Sequence, residues 1–391
     1  MLFKHKNQKR EIVVKTVMGL EAVLAEELIK LGATDIEILK RAVKAEADLK
    51  TVYRINLCSY FALRVLIPLR FDRIHNEDHL YNSVKRINWN DFIHEEQTIA
   101  VRASVNSDYF SNSHYVELKT KDAIVDQFKT RNGVRPDVDL YRPDLSVNIH
   151  IYKNSLTISL DTSGDSLHKR GYRTSSVEAP INEVLAAGLV KLSGWDGEKT
   201  FLDPMCGSGT ILAEAILQKM NMPPQAITRS FSFQTWKTYE PELWEEVVDE
   251  AMKKQKVLKD FKVFGTDIDE RSVEASKYNL AEAGLLQYAD IQKADFYETQ
   301  GPLKNYHLVF NPPYDKRLVD DYIIDSYKKI GDTLKQSFVD SEAWIISGNL
   351  QALKHLGLRA SKKISLFNGP IESKFHKFEV YAGSRKQKKQ A

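Results

Sequence analysis

Apolar and polar positions alternate in two different rhythms along the chain, changing near residue 165. Before that point the pattern predicts mixed helix and strand with little parallel-sheet character. "EIVVKTV" predicts a strand and "GLEAVLAEELIKLGA" a helix, with Leu20, Val23, Leu24, Leu28 and Leu31 on one face and Gly32 as its C-cap. "ALRVLIPLRF" predicts a strand, "QTIAVRASV" a strand of period two, and "VELKTKDAIVDQFKTRNG" a helix ending at Gly133. "SVNIHIYKNSLTISLD" reads as a hairpin: Val147, Ile149 and Ile151, a turn at Lys153-Asn154-Ser155, then Leu156, Ile158 and Leu160. The stretch "TSGDS" at 162–166 predicts a hinge or linker.

From about residue 180 the rhythm becomes strand, glycine turn, helix. "INEVLAAGLVKL" carries a helical stripe of Val184, Leu185, Gly188, Leu189 and Leu192. "TFLD" is a short buried strand that runs through "PMCGSGT" into the helix "ILAEAILQKM". "FKVFGTDID" leads into "ERSVEASKYNLAEAG", which Gly284 ends, and "YHLVF" and "AWIISG" are further apolar strands. Strands alternating with helices imply a parallel, doubly wound sheet, whose ligands sit at the C-terminal strand edges.

At 391 residues the chain is long for one core and predicts two or three domains. No apolar stretch reaches the roughly 18 residues that span a bilayer. The basic start "MLFKHKNQKR" lacks the apolar core of a secretion signal, so a cytoplasmic protein is expected. Two cysteines, Cys58 and Cys206, make no disulfide scaffold and have no metal-ligand company, so no metal is expected. His75 and His79 have i, i+4 spacing but no further ligand. A net charge of +3 argues weakly for nucleic acid, which leaves local patches such as "HKRGYR" at 168–173 and the tail "SRKQKKQA". Phe231, Phe233, Trp236 and Trp244 could stack bases, although packing of the insert between the first two sheet units is the expectation.

Three loops at the predicted strand edge suit an adenosine-containing ligand without a pyrophosphate. In "FLDPMCGSGT", Gly207 and Gly209 let the backbone approach a ligand, Asp203 closes the strand, and Ser208 or Thr210 can cap the next helix. The lysine of a phosphate loop and the third glycine of a dinucleotide fingerprint are both missing. Asp267 could accept both hydroxyls of a ribose, while Asp269 reads as an N-cap. Asp295 could accept an adenine amino group or be a solvated carboxylate. In "HLVFNPPYDK", the Asn311 amide oxygen and the Pro312 carbonyl could take both hydrogens of an exocyclic base amine, with Tyr314 as a stacking face. A proline-rich turn that simply ends a strand is the alternative.

These residues resemble the S-adenosylmethionine-dependent amino-methyltransferases, whose signature is [DNS]-P-P-[YFW]. More closely, the chain resembles bacterial THUMP-domain methyltransferases of guanine N2 in large-subunit ribosomal RNA, through "HKRGYR", "APINEVLAAGLVKLSGW", "DPMCGSGT", "RSFSFQTW", "GTDIDERSVEASKYNL", "NPPYDKRL" and "FNGPIESKFHKFEVY". The resemblance implies a Rossmann-like class I methyltransferase domain at 166–391, doubly wound and mostly parallel with an antiparallel C-terminal hairpin. Before it would come an α+β ferredoxin-like region at 1–55 and a THUMP RNA-binding domain at 56–165.

The resemblance also implies roles residue by residue. S-adenosylmethionine would contact Asp203, Pro204, Cys206, Gly207, Gly209, Thr210, Asp267, Ile268, Asp295 and Phe296, and the target base would sit against Asn311, Pro312, Pro313 and Tyr314. His168, Lys169, Arg170, Arg173 and Arg317 would contact RNA. The family continues its NPPY with Gly-Glu-Arg, whereas Asp315, Lys316 and Arg317 follow here, a difference that bears on the nucleotide more than on the reaction type. The implied partner is structured RNA, 23S rRNA or a large-subunit precursor, with no membrane and no obligate protein partner. Two alternatives stand beside guanine-N2 transfer: adenine-N6 methylation of DNA or RNA, and a non-catalytic RNA-binding or assembly factor.

Overall fold

The alternating strands of the first half assemble into one seven-stranded sheet in a computed structural model, which describes Phe3 and residues 8–175, 181–226, 229–313 and 321–381. The strands are β1 (Arg10–Lys15), β2 (Thr34–Leu39), β3 (Ala42–Ala47), β4 (Arg64–Arg73), β5 (Ile99–Asn106), β6 (Leu145–Tyr152) and β7 (Ser155–Asp161), in the order β2-β3-β1-β4-β7-β6-β5. Only β5 and β6 pair parallel. The hairpin turn is Lys153-Asn154, because Ser155 already pairs with Tyr152. Helices α1 (Glu21–Leu31), α2 (Leu49–Cys58), α3 (Glu77–Lys85) and α4 (Ser113–Asn132) accompany the sheet, and α4 ends at Gly133 in the left-handed region that glycine tolerates.

The sheet runs without a break across the expected boundary at 55/56, since β1 pairs with both β3 and β4. The "TSGDS" stretch is no hinge. Thr162 and Ser163 are fully buried and bonded to the Asn56 side chain at 2.8 and 2.7 Å, and the Val65 N–H donates to Ser163 Oγ at 2.9 Å.

The same compact unit takes in a segment from much later in the chain, residues 228–253, against the expectation that everything after 166 folds together. Phe231, Phe233 and Trp236 there are buried, and Phe233 stacks on Tyr53 of α2 at 4.4 Å between centroids, with Trp244 edge-on at 5.3 Å. The helix Pro241–Lys253, α7 in chain order, sets Glu246 and Glu250 on Lys50 (2.6 and 2.8 Å) and Glu250 on Arg54 (3.0 Å). The four aromatics are packing residues, as expected, but they serve the first unit's core.

The second unit comprises 17–20, 168–227 and 254–391. Its strands are β8 (Thr200–Asp203), β9 (Val263–Asp267), β10 (Ala289–Lys293), β11 (Tyr306–Phe310), β12 (Ser341–Ser347), β13 (Ala360–Asn368) and β14 (Ile371–Val380), with helices α5 (Glu183–Ser193), α6 (Thr210–Met220), α8 (Glu270–Glu282) and α9 (Asp321–Ser337). The spatial order is β10-β9-β8-β11-β12-β14-β13, parallel through β12 and antiparallel in the final hairpin. Strand order reverses beside β8: β9 and β10 lie to one side of it, β11 and β12 to the other. An apolar cluster that includes Leu308, Phe310, Tyr327, Ile330, Leu334, Phe338 and Ile345 seals α9 onto β11 and β12.

Candidate active site

Parallel register brings four loops to one sheet edge: 294–296 after β10, 267–269 after β9, 203–209 after β8 and 311–313 after β11. Neighbouring strands lie roughly 4.8 Å apart, so these loops form one crevice where the strand order reverses.

The 203–209 loop is laced to β9. Cys206 N donates to Thr266 O (2.9 Å), Thr266 Oγ1 to Pro204 O (3.2 Å), and Gly207 N to Asp267 Oδ2 (2.9 Å). Gly209 sits at φ +79°, and a Cβ there would lie 2.9 Å from Leu280 Cδ1 and 3.0 Å from Ser276 Oγ. It is itself the N-cap of α6, without a side-chain bond; the Ser208 and Thr210 hydroxyls lie 3.5 Å from each other and do not cap the helix. The first N–H groups of α6 are thus left uncapped by side chains at the crevice. At Gly265, which the sequence pattern did not single out, a Cβ would meet Leu212 Cδ1 at 2.4 Å, so a larger residue there would push that leucine end aside.

Asp203 is 1% exposed and has no ion pair among the described residues, its Oδ1 taking only the Met205 N–H at 3.2 Å. Burial, with the Asp267 charge adding to it, pushes its carboxyl well above the usual range. Asp267 spends one lone pair of each oxygen on the N–H groups of Gly207 and Asp269, which leaves further acceptor capacity on both. Asp269 is the N-cap of α8, bonded to Arg271 N. Asp295 caps the turn Phe296–Glu298 through Tyr297 N at 2.8 Å. Burial pushes the Cys206 thiol up, which makes it a poor nucleophile. Ile268 is 62% exposed, an apolar surface at the strand end. Phe296 is a core residue, its ring between Phe310 and Phe338.

After β11, Asn311 is half-buried and its Oδ1 is buried without a hydrogen-bond partner among the described residues. Pro312 is buried and Pro313 exposed, whereas Tyr314 and Arg317 lie outside the described residues. An orphaned buried acceptor costs about 1–3 kcal/mol, so a donor that none of the described residues supplies is expected to satisfy it. The four loops carry four carboxyls and one side-chain amide and no lysine or arginine. Such an edge repels phosphate and attracts cationic or amine-bearing groups.

"HKRGYR" is not the exposed basic patch it resembles. Arg170 is 1% exposed and paired with Glu214 of α6 at 3.3 Å, so it cannot reach RNA phosphates; Tyr172 donates to the same Glu214 oxygen at 3.1 Å. Arg173 pairs with Glu183 at 3.2 Å and donates to Ile181 O at 2.9 Å. Lys169 is exposed and His168 half-buried. Burial pushes Glu183 up to about 7 and also raises Glu214.

Asn279, fully buried on α8, was likewise unforeseen. Its Oδ1 accepts from Thr174 N (3.2 Å) and Ser175 N (3.0 Å), and its Nδ2 donates to Ser175 O (2.8 Å) and Ser208 O (3.0 Å). One amide therefore ties the glycine loop to the 174–175 segment. The signal for it was a polar side chain on the stripe Ser272, Ser276, Asn279 of an otherwise apolar helix face. Away from the crevice, His75 and His79 are ring neighbours at 6.1 Å, and no group that could hold a metal occurs among the described residues.

Comparison with known proteins matches residues 170–377 to an RMKL-like methyltransferase domain, 75–161 to a THUMP domain and 11–66 to an RlmL ferredoxin-like domain. A Synechocystis protein that carries the name of an RNA methyltransferase is 37% identical over 93% of this chain and 95% of its own length. The ribosomal RNA large subunit methyltransferase K/L of Syntrophotalea carbinolica is 34% identical over 93% of this chain; the chain spans 52% of that longer protein. The crystal structure of SMU.472, described as a methyltransferase and complexed with SAH, superposes with a TM-score of 0.85 at 28% identity, covering 97% of this chain and all of that one.

Proposed function

This chain belongs to the RMKL-like methyltransferase family, and from that premise we propose that it methylates the exocyclic N2 amine of a guanine in large-subunit ribosomal RNA, with S-adenosylmethionine as donor. The observation that carries the reading is the Asn311 Oδ1, without a partner among the described residues, at the end of the strand next to that of the buried Asp203, which has no ion pair among them. The carboxyl-rich edge suits a donor that bears an ammonium and a sulfonium. Asp203 would hold the methionyl ammonium, Asp267 the ribose hydroxyls through its remaining lone pairs, and Asp295 with the exposed Ile268 the adenine ring.

S-adenosylmethionine, when bound, supplies an electrophilic methyl group. Asn311 Oδ1 and the Pro312 carbonyl then take both N–H groups of the target amine, holding it in one orientation and satisfying the orphaned acceptor. Positioning of this kind accounts for roughly 7–11 kcal/mol of barrier lowering in well-oriented reactions. An amide does not titrate near neutrality, so Asn311 orients the amine without acting as a base. A base inside a duplex cannot enter such a crevice, which restricts the substrate to unpaired or flipped nucleotides.

The test is transfer of labelled methyl from S-adenosylmethionine to undermodified ribosomal RNA, transfer RNA and DNA, with nucleoside analysis of each product. N2-methylguanine in large-subunit RNA is the expected product. N6-methyladenine with no methylguanine would replace this reading by the adenine-directed one. Absence of cofactor binding in calorimetry would leave a non-catalytic RNA-binding protein.

A further inference from the structure

Beyond β11, on the side away from the cofactor loops, the second sheet continues through β12 to β14. Phe310 pairs with Ile345, and Ser347, two residues on, pairs with Lys374, so Lys374 stands level with Pro312. Two strand spacings put β14 roughly 10 Å from β11 at that height. A purine and an extended lysine side chain together span such a gap.

β14 also overshoots the sheet edge. Its pairing with β12 ends at Lys374, whereas its pairing with β13 goes on to Ile371. Residues 371–373 and their β13 partners therefore project roughly 10 Å beyond the end of β12, a wall across the target loop from Asp203. Glu372 and Lys374 alternate along the strand with Ser373 between them, so they share one face of this wall.

The Lys374 ammonium donates to Glu372 Oε1 (2.9 Å) and to Ser365 Oγ (2.7 Å). Its third N–H is left to donate, and the second Glu372 oxygen has no partner among the described residues. The wall thus presents a donor and an acceptor side by side, already held in place before a substrate arrives. With side-chain exposures of 28% and 54%, the pair adds little to stability.

The base supplies the match. Along one edge of guanine the N2 amine is followed by the N1–H donor and the O6 acceptor. In adenine the N6 amine lies between ring nitrogens that only accept. A carboxylate beside N1 and an ammonium beside O6 suit guanine, whereas against adenine the carboxylate would face a lone pair.

We propose that Glu372 and Lys374 select guanine: with the N2 amine on Asn311 Oδ1 and the Pro312 carbonyl, Glu372 accepts from N1–H and Lys374 donates to O6. The proposal rests on the guanine-N2 reading and deepens it by assigning the groups that tell guanine from adenine.

The test uses full-length protein and undermodified large-subunit RNA that carries guanine or, by splinted ligation, 2-aminopurine at the methylated position. 2-Aminopurine keeps the amine but has neither N1–H nor O6. Transfer of labelled methyl gives kcat/KM for each RNA, and calorimetry gives cofactor affinity. The parent should prefer guanine by about 5- to 150-fold. Lys374→Met and Glu372→Ala should lose most of that preference by slowing transfer to guanine alone, and Lys374→Arg should restore it. Cofactor affinity should stay at the parent value in all three. A parent without preference for guanine, or variants that keep the parent's preference, overturn the selection and leave guanine-N2 methylation standing. So does an equal loss on both RNAs, which would make the pair a support of the hairpin. N6-methyladenine in place of N2-methylguanine as the parent's product overturns both readings.

Discussion

Replacing Asn311 by alanine separates catalysis from stability in this fold. Most buried polar side chains support the folded state, so their loss destabilises it. Asn311 Oδ1 instead lies buried without a hydrogen-bond partner among the described residues. Leaving an acceptor in that condition costs about 1–3 kcal/mol, and truncation removes the cost together with little packing, since the residue is only half-buried. Asn311→Ala should therefore melt at the parent temperature or above it, by about 2–4 °C for each kcal/mol recovered in a unit of this size. Methyl transfer should fall about 10²- to 10³-fold, the scale seen when a single preorganised polar group is removed from an active site. Cofactor affinity should stay near that of the parent. The assay pairs thermal melting by circular dichroism with single-turnover transfer of labelled methyl and calorimetric titration of the cofactor. A variant that melts well below the parent yet transfers methyl at full rate would refute the reasoning, because Asn311 would then be a structural strand terminator.

Phe233→Ala should destabilise the first unit by about 3–5 kcal/mol, since the ring is buried against Tyr53 and Phe231; chemical denaturation read through amino-terminal fluorescence checks it. Glu183, raised from an ordinary 4.5 to about 7 by burial, gives a pH dependence. A carboxyl whose folded pKa is raised stabilises fully below its unfolded pKa and loses that contribution as pH climbs through the folded one. Stability should therefore decline by up to about 3 kcal/mol between roughly pH 4.5 and 7, and Glu183→Gln should flatten the decline in urea midpoints. Asn279→Asp removes both Nδ2 donations and sets a charge against the Ser175 and Ser208 carbonyls, so cofactor affinity should drop at least about tenfold by calorimetry while Asn279→Ser loses less.

Much of this protein is determined by sequence alone. The helical stripes, the period-two hairpin and the strand-glycine-helix rhythm depend on local spacing, and each formed where that spacing put it. The crevice followed from the same source, because parallel register carries every strand-end loop to one edge once the strands are known. Tertiary structure decided the rest, and the cases share a cause. Arg170 looks like an RNA contact until Glu214 arrives from α6 to pair with it away from water. The aromatics of 231–244 announce burial but not that Tyr53, far earlier in the chain, buries them. Ser208 and Thr210 have capping chemistry, yet the left-handed turn at Gly209 keeps their hydroxyls from capping α6. A local pattern records which side chains must leave water; which partner receives them depends on elements distant in sequence, and that choice fixes whether a charge is available for binding or already spent inside the fold.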